Sequence, residues 1–423
     1  MTRRVLIVGC GFPQLGLLRF ARGEGLYVVG ADANPGAVGV ATCDAYAQAS
    51  TADAGALVRA AREHGADALT TCGSELALAP VAEAARALGL PFYATPELLA
   101  AMRHKHDMRA LYAAGHAPSP AYRAARSLDE VSAFAREHGL PLVVKPSRGW
   151  GQRGVRVVRD ESELLAAATA ALEAARDASG NAPEERGAPV CVVEEFVEGS
   201  EYSVDAYTAD GETEVLAVTE RIITTYPDPP GITFAEVYPS GLEPAALRAV
   251  EDAARRGARA LGIRRGPTYT QVRFGPRGAF LVETAHRLGG GLDPDVTLLA
   301  SGVSLYRRIL GVALDRPDWE RAGAEAARHG GATGRFLVAR AGRVQSVTGL
   351  EAARRSPGVV DAQVYVEPGK LVGPLTDGSQ RAGHVLAAGS SREDAEARAR
   401  AAMDLIQITT RPEPSVASEG RAQ

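Results

Sequence analysis

PLVVKPSRGWGQRGVRVV, from Pro141 to Val158, is two apolar, β-branched runs around a turn that holds Gly149, Gly151 and Gly154, with Lys145 closing the first run. The pattern predicts a β-hairpin. Glycines let backbone N–H groups come close to phosphate oxygens, and a lysine ammonium at the base of the loop offsets part of their charge. No Gly-Lys-Ser/Thr follows the glycines and no helix opens there, so the stretch is not a Walker loop. An ordinary hairpin with a solvated lysine has the same spacing, and other parts of the chain have to decide between them.

Lysine usage favours the phosphate reading. Among 47 basic residues, lysine stands only at positions 105, 145 and 370. A chain so biased to arginine keeps lysine where a compact point charge serves and a planar fork does not. Lys370, in VEPGKLVG, reads as a turn residue, which leaves Lys105 and Lys145 as candidates.

A length of 423 residues suggests roughly three modules, and 46% apolar residues are ample for globular cores. The net charge of −4 offers no basic field for nucleic acid or a membrane surface, so small molecules are the expected partners. Cys10, Cys43, Cys72 and Cys191 have no CxxC spacing, which argues against a zinc knuckle, a disulfide framework or a thioredoxin-like pair. No window resembles a membrane span or signal peptide, and a cytoplasmic location is expected.

Residues 1 to about 100 alternate strand-like runs (VLIVG, YVVGAD, DALTT, PFYAT) with alanine-rich helical stretches, the signature of a doubly wound parallel sheet. Gly9, Gly11 and Gly16 with Asp32 suggest a dinucleotide fingerprint, but GCGFPQLG fits GxGxxG poorly. One helix is expected over about 97 to 114, with His104 and His106 on a solvated edge. Beyond the hairpin, VCVVEEFVEGSEYSVDAYTADG (190 to 211) runs a buried strand into two carboxylates, a glycine turn and a second strand. Backbone groups of Glu194, Glu195 and Val197 would present an adenine-reading edge and Glu201 would accept ribose hydroxyls; an acidic surface turn is the plain alternative. TTYPDPPGITFAEVYPSGLEP (224 to 244) reads as too proline-rich for regular structure, and the loop at 222 to 240 as a place where specificity sits.

GPTYTQVRFGPRGAFLVETAHRLGGGLDP (266 to 294) reads as two strands around GPRG. A three-residue loop, Pro276 to Gly278, would pair Gly275 with Ala279 and set Gln271 opposite Glu283 on one face. Both would then offer oxygen to one hard cation such as Mg²⁺, with phosphates and water completing its shell. Arg287 and the run Gly289 to Gly291 follow, suited to gripping a phosphate or carboxylate close to backbone. A structural salt bridge is the alternative for Glu283 and Arg287. One helix is expected near 295 to 311, then short strands, a closing helix and a disordered tail.

In this order, the βαβ domain, two lysines, glycine hairpin, EE hinge and ExxxRxGGG motif resemble the ATP-grasp superfamily over about residues 3 to 410. The resemblance implies a pre-ATP-grasp domain (1–115), small (116–200) and large (201–325) ATP-grasp subdomains, a C-terminal α+β lid module (326–410) and a tail (411–423). It implies ATP and Mg²⁺ as cofactors, with Lys105 and Lys145 on the phosphates, the loop from Ser147 through Gly149 and Gly151 to Gly154 over them, and Glu283 on the metal. Arg287 would hold the acyl substrate or its phosphate, with Gly289 and Gly290 beside it. The C-terminal segments are similar to the carboxylate–amine, or L-amino-acid, ligase branch, with some likeness to purine-pathway and biotin-carboxylase branches. The expected activity joins a carboxylate to an amine through an acyl phosphate. The alternatives are a purine-type or carboxyphosphate-forming ligase and a non-catalytic ATP-binding module. A homodimer is the default assembly. Gln271 stands where the family usually has Glu, which removes a charge from the metal site.

Overall fold

The computed structural model describes residues 2–149, 154–179, 189–223, 232–326, 328–375 and 378–412. It divides into two compact units, Met1–Arg221 with Tyr238–His329 and Ile222–Val237 with Gly330–Gln423.

The first unit opens with a parallel sheet of β1 (Arg4–Val8), β2 (Tyr27–Asp32), β3 (Ala45–Gln48) and β4 (Ala68–Thr70) in the order β3-β2-β1-β4. Its strands are apolar on both faces because both are covered. Val5 and Ile7 pack with Leu17 and Leu18 of helix Phe12–Gly23, while Leu6 and Val8 pack with Leu57 and Val81 of the helices on the other side. The expected doubly wound sheet is therefore present. AYAQ supplies the edge strand β3, which sequence reading missed, and PFYAT is not a strand. Pro91 there has no N–H to give a ladder, and Tyr93 is buried with its ring against Gly266 and His286. Asp32 fastens the β1 turn by accepting from Cys10 N–H at 2.8 Å, which accounts for this carboxylate without a dinucleotide.

Two helices expected to be continuous are broken. The stretch from 97 to 114 divides into Pro96–Met102 and Lys105–Ala114, with His104 extended between them as the cap of the second. The stretch from 295 to 311 divides into Asp293–Ser301 and Leu305–Ala313 at Gly302, whose φ of +76° is a left-handed stop. Among the described residues, no single helix is long and apolar enough to cross a membrane.

A second sheet has the order β5-β8-β6-β7, from β5 (Tyr122–Ala125), β6 (Leu142–Pro146), β7 (Arg156–Val158) and β8 (Cys191–Glu195). Here β6 and β7 pair antiparallel, with Leu142 opposite Val158. A third, antiparallel array contains β9 (Ser200–Ala209), β10 (Glu212–Ile223), β12 (Gly266–Gly275) and β13 (Gly278–Ala285), with β12 between β9 and β13.

The second unit holds β11 (Thr233–Tyr238), β14 (Gly331–Leu337), β15 (Gly342–Thr348), β16 (Val359–Val364), β17 (Leu371–Val372), β18 (Gly383–Gly389) and β19 (Gln407–Arg411). Two expectations are corrected here. The segment after the proline-rich run is regular: β11 is a strand, with Thr333 Oγ1 donating to Glu236 O. Arg411, expected to open the tail, instead ends β19, which pairs with β15; the expected tail from residue 413 lies outside the described residues.

Candidate functional site

The β12–β13 hairpin sets the geometry. Its turn holds two residues and not three, because Gly275 pairs with Gly278. A bulge then skips Val282, so that Gln271 still faces Glu283 and, on its other side, Ser203. The expected juxtaposition holds by a different route. Gly278 takes the turn with φ +102°.

Around Glu283 the structure gathers cations. Lys105, first residue of its helix, donates from its backbone to Ser147 O at 2.7 Å and from Nζ to Gly149 O at 2.8 Å. The same Nζ lies 3.6 Å from Glu283 Oε1. The helix break before Lys105 is what aims this first turn at the glycine loop. His106 is no solvated edge, since its Nδ1 is hydrogen-bonded to the Ser147 hydroxyl. Burial pushes the Glu283 carboxyl up, but Lys105, Lys145, Arg287 and Arg109 overcome it and hold the group below the usual carboxylate range. In the loop, Gly149 has φ +130° and Gly154 φ +72°, backbone that favours glycine. Gly151 lies outside the described residues.

Lys145 is buried, with Nζ 2.9 Å from Glu194 Oε2, and Arg109 Nε meets Glu194 Oε1 at 2.6 Å. Desolvation holds the Lys145 ammonium down to about 8 despite the neighbouring carboxylate. Burial raises Glu194, yet Arg109 and Lys145 outweigh that and hold it at about 2. Glu194 is consequently not an adenine-reading group. Its backbone sits between β5 and β6, opposite Tyr122 and Val143, and its carboxylate is committed to two cations. The hinge expectation narrows to Glu195 and Val197. Glu195 is anchored by Arg277 at 2.8 Å and by Ala121 N–H at 3.1 Å, whereas Val197 N–H has no partner among the described residues. Glu201 is buried and faces two guanidinium groups, Arg221 at 3.1 Å and Arg273 at 3.7 Å.

Arg287 leans over the Tyr269 ring and donates to Glu75 at 3.1 Å. The glycines beside it have a packing reason. A Cβ on Gly289 would collide with the Asp293 carboxylate, and one on Gly290 would lie 2.9 Å from Gly73 O. Sequence reading missed Arg109, whose guanidinium also donates to Leu281 O at 2.9 Å and Val282 O at 3.0 Å. It also missed Asp205, which pairs with Tyr269 and so shares the face of Gln271 and Glu283. Burial and the nearby Asp293 push the Asp205 carboxyl well above its usual range. Neither had a motif to announce it.

One carboxylate and one amide opposed on a sheet face, beside two lysines and a glycine loop, fit Mg²⁺ that draws its remaining ligands from nucleotide phosphates and water. They do not fit a metal held by protein alone, and no group of three or more His, Cys, Asp or Glu able to hold one occurs among the described residues.

Residues 138–295 match the ATP-grasp domain model, and 335–411 match L-amino acid ligase C-terminal domain 2. The chain is 32% identical over 344 residues to an uncharacterized protein, y4rH, of Sinorhizobium fredii, covering 81% of this chain and 68% of that one. It is 28% identical to alanine–anticapsin ligase of Bacillus subtilis over 273 residues, 60% of this chain and 56% of that ligase. The chain thus spans little more than half the length of such ligases. In fold it is similar to L-amino acid ligase from Bacillus licheniformis, with a TM-score of 0.78, 22% identity and coverage of 97% and 99%. Phosphoribosylglycinamide synthetase from Anaerococcus prevotii follows at TM-score 0.76, 15% identity and coverage of 97% and 100%.

Proposed function

The chain belongs to the ATP-grasp superfamily, and from that premise we propose that it is an ADP-forming ligase that activates a carboxylate, of an amino acid or a related acid, as an acyl phosphate and couples it to an amine. The observation that carries this reading is the meeting of Lys105 with both Gly149 O and the Glu283 carboxylate, which brings the glycine loop to the Gln271–Glu283 pair. The C-terminal match to L-amino acid ligases favours an amine acceptor over bicarbonate chemistry.

In this reading Lys105 and Lys145 hold phosphate oxygens, and the hinge at Glu195 and Val197 meets adenine. Glu201 remains the candidate for the ribose, in competition with its two arginines. Gln271 and Glu283 would hold Mg²⁺, which when bound neutralises phosphate charge and aligns the transferring group. Arg287 holds the acid's carboxylate or its phosphate. Placing a carboxylate beside a triphosphate is opposed by like charge, and these fixed cations offset the repulsion without reorganising. No nucleophilic side chain is required.

Lys145→Ala should weaken ATP binding by roughly 1.5 to 3 kcal/mol, the loss of one charged hydrogen bond. Titration calorimetry reads it directly, and unchanged affinity would remove Lys145 from the phosphates. Because only the ammonium form grips phosphate and its pKa is held down to about 8, wild-type affinity should fall as pH rises through that value. A flat profile between pH 7 and 9.5 would count against the contact.

The direct test is ADP release with ATP and Mg²⁺ against amino acids, singly and in pairs, with bicarbonate as a separate arm. Release that requires both an acid and an amine supports the ligase. Release with bicarbonate alone would favour the carboxyphosphate chemistry, and bound ATP without any ADP would favour a binding module. The same preparations, sized by light scattering, test the homodimer.

A further inference from the structure

The four cysteines are scattered in sequence, but the fold brings two of them together. Cys10 lies in the turn after β1 and Cys43 follows the short 3-10 turn Val40–Thr42. Between them is Gly30 of β2. A Cβ built there would lie 2.5 Å from Cys43 Sγ and 2.6 Å from Cys10 Sγ, so the missing side chain is what lets the sulfurs face each other. The two segments are already fastened, because Gly39 N–H donates to Cys10 O at 2.7 Å and Cys43 Sγ donates to Gly39 O at 3.3 Å. Cys10 is buried and Cys43 half-buried, so Cys43 is the more accessible residue of the pair.

We propose that Cys10 and Cys43 form a reversible dithiol–disulfide couple that is oxidised by hydrogen peroxide. The Cys43 thiolate attacks one peroxide oxygen and the O–O bond breaks; with a proton from solvent, one water leaves and Cys43 carries a sulfenic acid. Cys10 sulfur then attacks the Cys43 sulfur, the S–O bond breaks, and the departing hydroxide takes the Cys10 proton as a second water. Two thiols are oxidised and one peroxide is reduced to two waters. Reactivity follows thiolate character and access. Donation from the Cys10 thiol draws the Cys43 thiol below its usual range, while the same contact and burial push Cys10 up. Cys72 and Cys191 are internal controls, since both are buried and burial raises both thiols. The couple lies close to the candidate substrate loop: Pro13, in the first turn of the helix that follows Cys10, abuts Gly73, and Gly73 abuts Gly290.

The protein, reduced and then exposed to hydrogen peroxide, should fall from four titratable thiols to two. Non-reducing peptide mapping should recover Cys10 linked to Cys43, and dithiothreitol should restore both. In Cys43→Ser, loss of the Cys10 thiol should slow by roughly tenfold or more, because the reactive sulfur is gone. In Cys10→Ser, Cys43 should stop at a sulfenic acid that dimedone traps. Four thiols surviving in the folded wild type, a link involving Cys72 or Cys191, or equal Cys10 loss in Cys43→Ser would overturn the proposal.

Discussion

Arg109→Met is expected to cost roughly 3 to 5 kcal/mol of stability, the range for breaking a buried ion pair. The guanidinium is 2% exposed and joins three elements: its own helix, β8 through Glu194, and β13 through the carbonyls of Leu281 and Val282. Methionine fills much of the volume but offers no donor. Lys145 stays beside Glu194 and limits the loss, while two carbonyls are left to find other donors. A chemical denaturation midpoint shift worth less than about 1 kcal/mol, the scale of a surface pair, would show that Glu194 and Lys145 hold this region without Arg109.

The variant also carries a signature in pH. The folded Glu194 carboxyl sits at about 2, below the ordinary carboxylate value, so its contribution is fully present above that ordinary value and is lost as pH falls through about 2. Removing Arg109 lets the folded value rise toward the unfolded one. Stability of the variant should then depend less steeply on acid between about pH 4.5 and 2 than stability of the wild type. Parallel acid limbs would mean that Lys145 alone sets the Glu194 ionisation.

What was legible in the sequence, and what was not, follows from the range of each signal. Val5 to Val8, the hairpin at 141–158 and Gln271 opposite Glu283 announce themselves through local periodicity and turn residues, and the structure has all three. Arg109 carries no local signal. It sits among many arginines, and only the tertiary approach of residues 194, 281 and 282 gives it a role. The helix breaks at 103–104 and 302 fail to show because a gap of two or three residues barely disturbs a 3.6-residue repeat. The Gly275–Gly278 turn was misjudged by one residue, and the bulge at Val282 cancels the error, so Gln271 does face Glu283 although the derivation of that pairing was off. Glu194 shows the opposite failure: adjacent carboxylates look alike in sequence, but strand alternation sends Glu194 into the core and leaves Glu195 at its edge.

The Glu283→Gln variant should lose ADP release by about 10² to 10³-fold, the scale seen when one preorganised charge interaction is removed from a reacting centre. The change keeps shape and one oxygen but takes away the only carboxylate of the Gln271–Glu283 pair. Two amides are poor partners for Mg²⁺, which dehydrates reluctantly and favours carboxylate oxygen. ATP affinity without divalent cation should hold or rise, since a negative charge 3.6 Å from Lys105 Nζ has gone. This separates a metal role from a collapsed site, which would lose nucleotide as well. Mn²⁺ titration of the protein–nucleotide complex, read by electron paramagnetic resonance, should show weaker binding in Glu283→Gln and tighter binding in Gln271→Glu. If Glu283→Gln keeps full turnover and wild-type Mn²⁺ affinity, the carboxylate is only the counter-ion of Lys105. The metal would then be held by phosphates alone, and the pairing on β12 and β13 would be structural.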